Sequence, residues 1–340
     1  MSTAARRVVH CVRSDAFAGV ERYIASVAPE LARRGWDVHV IGGDPGRMRT
    51  ELGAIRHTPA ATTGAVTAQL LRCDRHTIVH AHMTAAEAAA ATAQVLRRFP
   101  FVTTRHFAVA RGSSPIARAG ASLIGRAVDR QISISQFVAG AIGEPSLVIL
   151  NGVPANDRVP TPELMVLTAQ RLDAEKHTDV AIHAWARSNL RDHGWRLTLA
   201  GSGRQAADLA QLVDRLALRD SVEFVGVQTD MTTLMSRAAI FLATHPAEPF
   251  GLSVAEAMAA RLPVIAASGG GHLETVGAAN PGSLFPVGDA RAAAALLDTL
   301  GADPAERDRI GLTLQTWQRA HLSIEAHVDQ LERVYSELRR

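Results

Sequence analysis

At 340 residues the chain is longer than one compact core usually carries. Its 47% hydrophobic and 20% charged residues, with a mean hydropathy of +0.05, exclude a disordered protein, and no apolar run approaches the ~18 residues of a membrane span. The formal net charge of +3 conceals an asymmetry, about +8 over residues 1–160 and about −5 over 161–340, but with 4% aromatics and no basic–aromatic interleaving a nucleic-acid partner is not expected.

The elements alternate. Arg7–Val12 reads as a strand, 19–34 as an amphipathic helix, and Asp37–Ile41 as the next strand. Short strands follow at 77–80, 101–104, 131–135 and 147–150, with helical stretches between them, such as the Ala-rich 84–98. Residues 153–162 hold three prolines with Asn156 and Asp157, the best linker signal in the chain. The alternation then restarts at 164–169, Arg196–Ala200, 222–225, 239–243 and 263–266. The tail 305–340 reads as two helices broken near 321–323. This βαβ repetition, twice over, predicts an α/β protein of two Rossmann-like parallel-sheet domains facing a central cleft. The expected limits are 1–155 for the first domain, 163–320 for the second and 321–340 for a C-terminal helix that can pack back on the first.

In open parallel sheets the ligand sits outside the carboxyl ends of the strands, so function is sought in the loops there. No GxGxxG follows the first strand, which disfavours nicotinamide chemistry. Gly201-Ser202-Gly203 is a lone GxG. There is no Gly-x-Ser-x-Gly elbow and no Walker loop, which sets aside hydrolase and ATPase readings. Cys11 and Cys73 form neither a disulfide framework nor a metal-type pair. The run 8–12 is too short and too soon interrupted by Arg13 and Asp15 for a secretory signal, so the cytoplasm is the expected location, with the inner membrane face as a peripheral alternative.

Three groups of residues carry chemistry. The first is Glu248-Pro249-Phe250-Gly251-Leu252-Ser253-Val254-Ala255-Glu256, two carboxylates eight positions apart around a glycine turn that opens a helix. The backbone N–H groups there make an anion site. Ser253-x-x-Glu256 has the form of a capping box, whereas Glu248 has no such structural reason to be where it is. The second is Arg171 with Lys176, after the strand 164–169. Two cations at a helix start suit a diphosphate, and ion pairs with Asp173 or Glu175 are the plainer alternative. Lys176 is the single lysine against 35 arginines, which points to a site that wants a compact ammonium. The third is histidine. His80-Ala81-His82 has the look of a metal pair, but no third ligand of suitable spacing is visible, and no Asp-x-Asp occurs, so a bridged metal–diphosphate site lacks its usual carboxylates. His106 follows the strand 101–104, where its position fits either a cleft residue or a hydrogen-bonded loop histidine.

These residues in this order resemble one family, the retaining GT-B glycosyltransferases of family 4, also described as glycosyl transferases group 1. The motifs are Gly19-Val20-Glu21, His80-Ala81-His82, Thr104-Arg105-His106, Ile132-Ser133-Ile134-Ser135, Asn151-Gly152-Val153, Arg171-Leu172 with Lys176, Gly201-Ser202-Gly203, and Glu248-x7-Glu256. The resemblance implies that Arg171 and Lys176 hold the donor diphosphate, helped by Gly19 and the backbone at Phe250, Gly251 and Leu252. It implies that Glu256 binds the ribose, that the base lies near Val227, and that Gly201 and Gly203 shape the donor loop. Glu248 and His106 are implied to meet the donor sugar as the catalytic residues.

It further implies a nucleotide diphosphate sugar as co-substrate, with UDP favoured and GDP open, no cofactor and no metal, and retention of configuration. With no obvious carboxylate nucleophile in the first half, front-face displacement is the expected course. Two departures from the family pattern stand out: Ala18-Gly19 replaces a pair of glycines, and Lys176-His177 replaces Lys-Gly.

The acceptor is expected on the first domain, as a glycan, a lipid-linked or a small molecule. There Arg111, Arg118, Arg126 and Arg130 flank Ile116, Leu123, Ile124 and Val128, as in an ordinary surface helix or one lying on a membrane. A monomer or dimer is the default assembly. The competing readings are a sugar-nucleotide epimerase or a phosphorylase on the same frame, and a catalytically silent nucleotide-sugar binding module.

Overall fold

The computed structural model describes residues 6–111 and 115–339, without the side chains of 115–119 and 123. It divides into two units. One runs to Gly152 and resumes at Ile324; the other is Val153–Ser323.

The first unit is a seven-stranded sheet of β1 (Arg7–Val12), β2 (Asp37–Ile41), β3 (Arg56–Thr58), β4 (Ile78–His82), β5 (Phe101–Arg105), β6 (Arg130–Ser133) and β7 (Leu147–Val148). Their order is β3-β2-β1-β4-β5-β6-β7, with every pairing parallel. The short β-branched runs make strands because both faces are covered. On one face Val8, Val12 and Val102 pack with Tyr23, Val27 and Leu31 of the helix Gly19–Arg33 and with Val328, Leu331 and Tyr335 of the helix Ile324–Leu338. On the other, Val9, Cys11, Val79 and Phe101 meet the alanines of the helix Thr84–Gln94.

The last helix is held on the first unit by more than apolar contact. Arg34 Nη1 donates to Glu332 at 2.9 Å and also pairs with Asp329, and Trp36 Nε1 donates to Glu332 at 2.8 Å. The boundary lies at Val153 because the Val153 N–H donates to the Leu322 carbonyl at 2.9 Å, tying the proline-rich linker to the end of the helix Pro304–His321. Residues 321–323 therefore belong to the second unit, and the return to the first begins at Ile324.

The second unit is a six-stranded parallel sheet of β8 (Met165–Ala169), β9 (Arg196–Ala200), β10 (Val222–Gly226), β11 (Ile240–Ala243), β12 (Val264–Ala267) and β13 (Leu284–Phe285), ordered β10-β9-β8-β11-β12-β13. The order reverses between β8 and its neighbours β9 and β11, the place where such sheets open a ligand crevice at their carboxyl ends. Residue alternation did not announce β3 or β13, which have three and two residues and no room for a period. β4 extends two residues further than its apolar run, through His80 to His82, because Val12 of β1 and Thr104 of β5 pair with His82 on either side.

Candidate functional site

Two constellations stand out, one in each unit. In the second, the loops after β8, β9, β11 and β12 converge. Lys176 Nζ donates to Glu248 Oε2 at 2.7 Å, and both side chains are largely shielded. Burial raises the carboxyl of Glu248, but the adjacent Lys176 charge and its hydrogen bond outweigh that and leave it below the usual carboxylate value. The carboxylate is therefore ionised at neutral pH.

The loop bearing Lys176 is fixed from below. Gln170 Nε2 donates to the Lys176 carbonyl at 3.0 Å and to Thr178 Oγ1 at 2.9 Å, and Thr244 Oγ1 donates to the same carbonyl at 2.9 Å. His177 has φ +51°, in the left-handed region, and precedes the first residue of the helix Thr178–Arg187. A glycine there would carry no steric cost, which gives the departure from Lys-Gly a physical meaning. His177 is a strained turn residue.

Gly201 and Gly203 act on the same loop. A Cβ on Gly201 would come within 1.9 Å of the Gln170 carbonyl oxygen, and one on Gly203 within 2.3 Å of the Leu172 carbonyl. Their role is close backbone packing of the loop after β9 against the loop after β8, sealed by Leu172 N–H to Ser202 O at 2.9 Å.

Glu248 is held by residues that motif reading passed over. Gly269, Gly270 and Gly271, after β12, wrap its loop. A Cβ on Gly270 would meet the Glu248 carbonyl oxygen at 2.3 Å, and the Gly271 N–H donates to that oxygen at 2.6 Å. His245 and His272 flank the pair. Burial, aided by the Lys176 charge, lowers His245 to about 4, and His272 is lowered mainly by burial. Both are neutral at pH 7. The run Ser268-Gly269-Gly270-Gly271-His272 was the available signal.

Gly251 has φ +94° and precedes the helix Leu252–Ala259, with Phe250 buried behind it. This corrects the capping-box reading of Glu256. The residue that caps this helix is Gly251, which has no side chain to close such a box, and Ser253 already lies inside the helix. Glu256 and Leu252 are half-buried on its first turns. Val227 is 70% exposed after β10.

Arg171 is placed differently from the expectation. Its guanidinium spans Asp173 at 2.5 Å and Glu175 at 2.6 Å, the plainer alternative, and the side chain is exposed. Lys176 is thus the cation aimed at Glu248, while Arg171 is engaged by its own loop.

The second constellation belongs to the first unit. Gly19 is exposed at the start of its helix, where the Ala18 N–H donates to Glu21 Oε2 at 2.9 Å. His106, one residue past β5, is 7% exposed and lowered to about 3 by burial. Register explains its surroundings. His10 pairs with His80 across β1 and β4, and His82 with Thr104 across β4 and β5. Alternation then puts His10, His80, His82, Thr104 and His106 on one face.

No third ligand of suitable spacing was visible beside His80 and His82 in the sequence, and the fold supplies one from another strand: β1 brings His10, and ligand-capable nitrogens of the three lie within 4.8 Å of one another. Both nitrogens of His80 meet hydroxyls, Tyr335 at 2.6 Å and Thr104 at 2.7 Å. His10 Nδ1 and His82 Nε2 meet each other at 3.0 Å. His10 and His82 are thus joined by a hydrogen bond, while His80 is taken up by hydroxyls.

Arg111 is also corrected. It is buried, donating to Glu87 at 2.6 and 3.1 Å and to Glu144, and is no part of a basic face. Arg126 and Arg130 are exposed, and Ile124 and Val128 half-buried; the side chains of Arg118, Ile116 and Leu123 lie outside the described residues. Among the described residues no helix is long and apolar enough to cross a membrane.

Comparison with known proteins matches residues 17–156 to the model for Glycosyltransferase Family 4 and 154–315 to that for Glycosyl transferases group 1. An exopolysaccharide phosphotransferase of Streptomyces coelicolor is 33% identical over 51% of this chain and 18% of its own length. The lipopolysaccharide core biosynthesis mannosyltransferase LpcC of Rhizobium leguminosarum is 27% identical over 49% of each. The chain thus matches from about a fifth to half the length of these curated relatives. Among solved structures, Anabaena HepE in complex with UDP-glucose superposes with a TM-score of 0.83 at 22% identity, over 97% of this chain and 99% of that one. Sucrose-phosphate synthase from Thermosynechococcus elongatus follows with a TM-score of 0.77 at 21% identity, over 98% and 99%.

Proposed function

Because the chain belongs to the GT-B glycosyltransferases of family 4, we propose that it moves a sugar from a nucleotide diphosphate sugar, UDP-linked in the first instance, to a glycan, lipid-linked or small-molecule acceptor. The observation that carries this reading is the Lys176–Glu248 pair, 2.7 Å apart beside the start of the helix Leu252–Ala259. A mobile ammonium and a helix N-terminus together suit a diphosphate. A buried, ionised carboxylate against that cation suits the hydroxyls and the developing positive charge of a sugar.

In this reading Lys176 takes the diphosphate, helped by the backbone of Phe250, Gly251 and Leu252. Arg171 joins it only by giving up Asp173 or Glu175. Glu256 takes the ribose, and the base lies by Val227. Glu248 touches the donor sugar, and His106 is the first unit's residue for that sugar, with Gly19 the first unit's contact for the phosphates. The proposal includes retention by front-face displacement without a metal, since the positive charge and the helix dipole can carry the leaving group. HepE, a structural relative, was solved with UDP and with UDP-glucose, which favours uridine as the base to try first.

Thermal denaturation with UDP, GDP, ADP and dTDP, each without added metal, tests this. A diphosphate at 100 times its Kd stabilises the protein by about 2.7 kcal/mol. We expect one nucleotide to do so in the unaltered protein and to lose the effect in Lys176→Ala. No shift with any of them would overturn the donor assignment.

A further inference from the structure

The histidines of the first unit form a chain with a direction. His10 Nδ1 lies 3.0 Å from His82 Nε2, and His82 Nδ1 lies 3.0 Å from His106 Nε2. All three rings are buried, with His10 and His82 stacked at 5.3 Å and Tyr23 packed edge-on against His82 and His106 at 5.5 and 5.0 Å. A neutral imidazole has one donor and one acceptor nitrogen. Two such bonds in series therefore allow two arrangements, with all three rings changing tautomer together.

In the first, His10 donates to His82 and His82 to His106, leaving a lone pair at His10 Nε2 and an N–H at His106 Nδ1. In the second the protons run the other way, leaving an N–H at His10 Nε2 and a lone pair at His106 Nδ1. The far end decides between them. His10 Nε2 is fully buried and, among the described residues, meets no hydrogen-bond partner. A buried N–H without an acceptor is the rarer and costlier orphan, so the lone pair belongs there.

We propose that His10 and His82 are positioning residues that hold His106 as its neutral Nδ1–H tautomer, so that it offers the donor sugar a hydrogen-bond donor and not a base. The part of this that concerns sugar rests on the function proposed above; the tautomer itself does not. Burial keeps the whole chain neutral, since His10 and His106 are lowered to about 3 and His82 lies well below its ordinary value. Two neighbouring histidines are kept out of the chain. His327 Nδ1 donates to the Leu150 carbonyl at 2.7 Å and its Nε2 accepts from the Tyr23 hydroxyl at 2.8 Å, while His80 is held by Tyr335 and Thr104.

Two-bond 15N–1H correlation spectra of the ligand-free, 15N-histidine-labelled full chain read each tautomer directly. The expected result at pH 7 is a protonated Nδ1 and unprotonated Nε2 for His10, His82 and His106. A protonated Nε2 on His106, or a cationic ring, overturns the proposal. His82→Phe keeps a ring but removes both bonds, and His106 should then change tautomer or populate both. His82→Asn returns an amide N–H near the Nδ1 position and should restore the Nδ1–H form. An unchanged His106 in His82→Phe would overturn the role given to His82.

In turnover of UDP-glucose we expect His82→Phe to lose tenfold or more in kcat with UDP affinity unchanged, and His82→Asn to recover most of it. Equal losses of kcat and UDP affinity would mean that the ring is merely structural. Failure of UDP to bind the unaltered protein would sink the transferase reading alone, because the tautomer is measured without ligand.

Discussion

Lys176 and Glu248 show how far a single residue could be read from the sequence. The lysine stands out by composition, as one among 35 arginines, and the carboxylate by its turn. Their meeting at 2.7 Å is a property of two loops 72 positions apart and is visible only in the fold. Arg171 and Lys176 both suit a diphosphate in the sequence, and of the two it is Arg171 that pairs with the acids of its own loop, Asp173 and Glu175, the plainer alternative. Lys176→Ala leaves Glu248 shielded and without its cation, at an expected cost of about 1–3 kcal/mol. Denaturant titration of Lys176→Ala beside the double change with Glu248→Gln checks this, since the second change should return part of the loss. The folded carboxyl lies below its unfolded value, so its stabilisation is present above pH 4.5 and fades as pH falls through the folded value. In turnover, Glu248→Ala should cost far more in rate than in nucleotide affinity, and matched losses would count against contact with the sugar.

At the scale of elements, the loops after the strands are set by glycines that admit no side chain. Gly203→Ala puts a methyl group 2.3 Å from the Leu172 carbonyl, and Gly270→Ala puts one 2.3 Å from that of Glu248 while also fixing a left-handed φ of +58°. Each should cost at least 2 kcal/mol, about the size of other strained or overpacked sites, and weaken nucleotide binding with it. His177→Gly should act in the opposite sense. It relieves a left-handed φ worth about 1–2 kcal/mol, less the extra chain entropy glycine brings, for a net gain of about 0.5–1 kcal/mol in a urea melt. Strand positions were legible from apolar runs, with boundary errors of one or two residues. β4 runs two residues past the expected 77–80, through Ala81 to His82, because pairing with β1 and β5 continues the strand there. The histidine chain was hidden because the register that sets His10 and His106 beside His82 belongs to the pairing of strands and to no one of them.

Over the whole molecule, the two units should respond differently to acid. His10, His106, His39 and His327 in the first unit are lowered to about 3, 3, 4 and 4, and His80 and His82 lie well below their ordinary value. Above about pH 6.5 these groups are neutral folded or unfolded and contribute no pH dependence. Below it the unfolded chain takes up protons that the folded unit refuses, so stability falls with pH by up to about 1.4 kcal/mol per unit for each histidine. In the second unit only His245, lowered to about 4, and His272 lie below the ordinary value. Labelling with 5-fluorotryptophan separates the two, because Trp36 lies in the first unit and Trp185, Trp195 and Trp317 in the second. Between pH 7 and 5 the Trp36 resonance should melt at progressively lower denaturant while the other three move less. Parallel movement of all four would contradict this account. The two-sheet architecture itself was the most legible level of all, because βαβ alternation is written along the entire chain.

The return of the helix Ile324–Leu338 to the first sheet has a consequence for the order of events during synthesis. Tyr335, which bonds His80, and His327, which bonds Tyr23, are made only after residues 153–323, yet they cover a sheet whose strands are complete by residue 148. At about 5–20 residues per second the ribosome needs about 10–35 s to make residues 153–323. Throughout that interval the nascent first sheet has its histidine face covered by the helix Gly19–Arg33 alone, without Tyr335 and His327, while the second unit can close on its own. Of the two units, the one begun earlier is therefore the one completed later, and a fragment stopped at Gly152 should be captured by chaperones or proteases where a fragment of Val153–Ser323 is not.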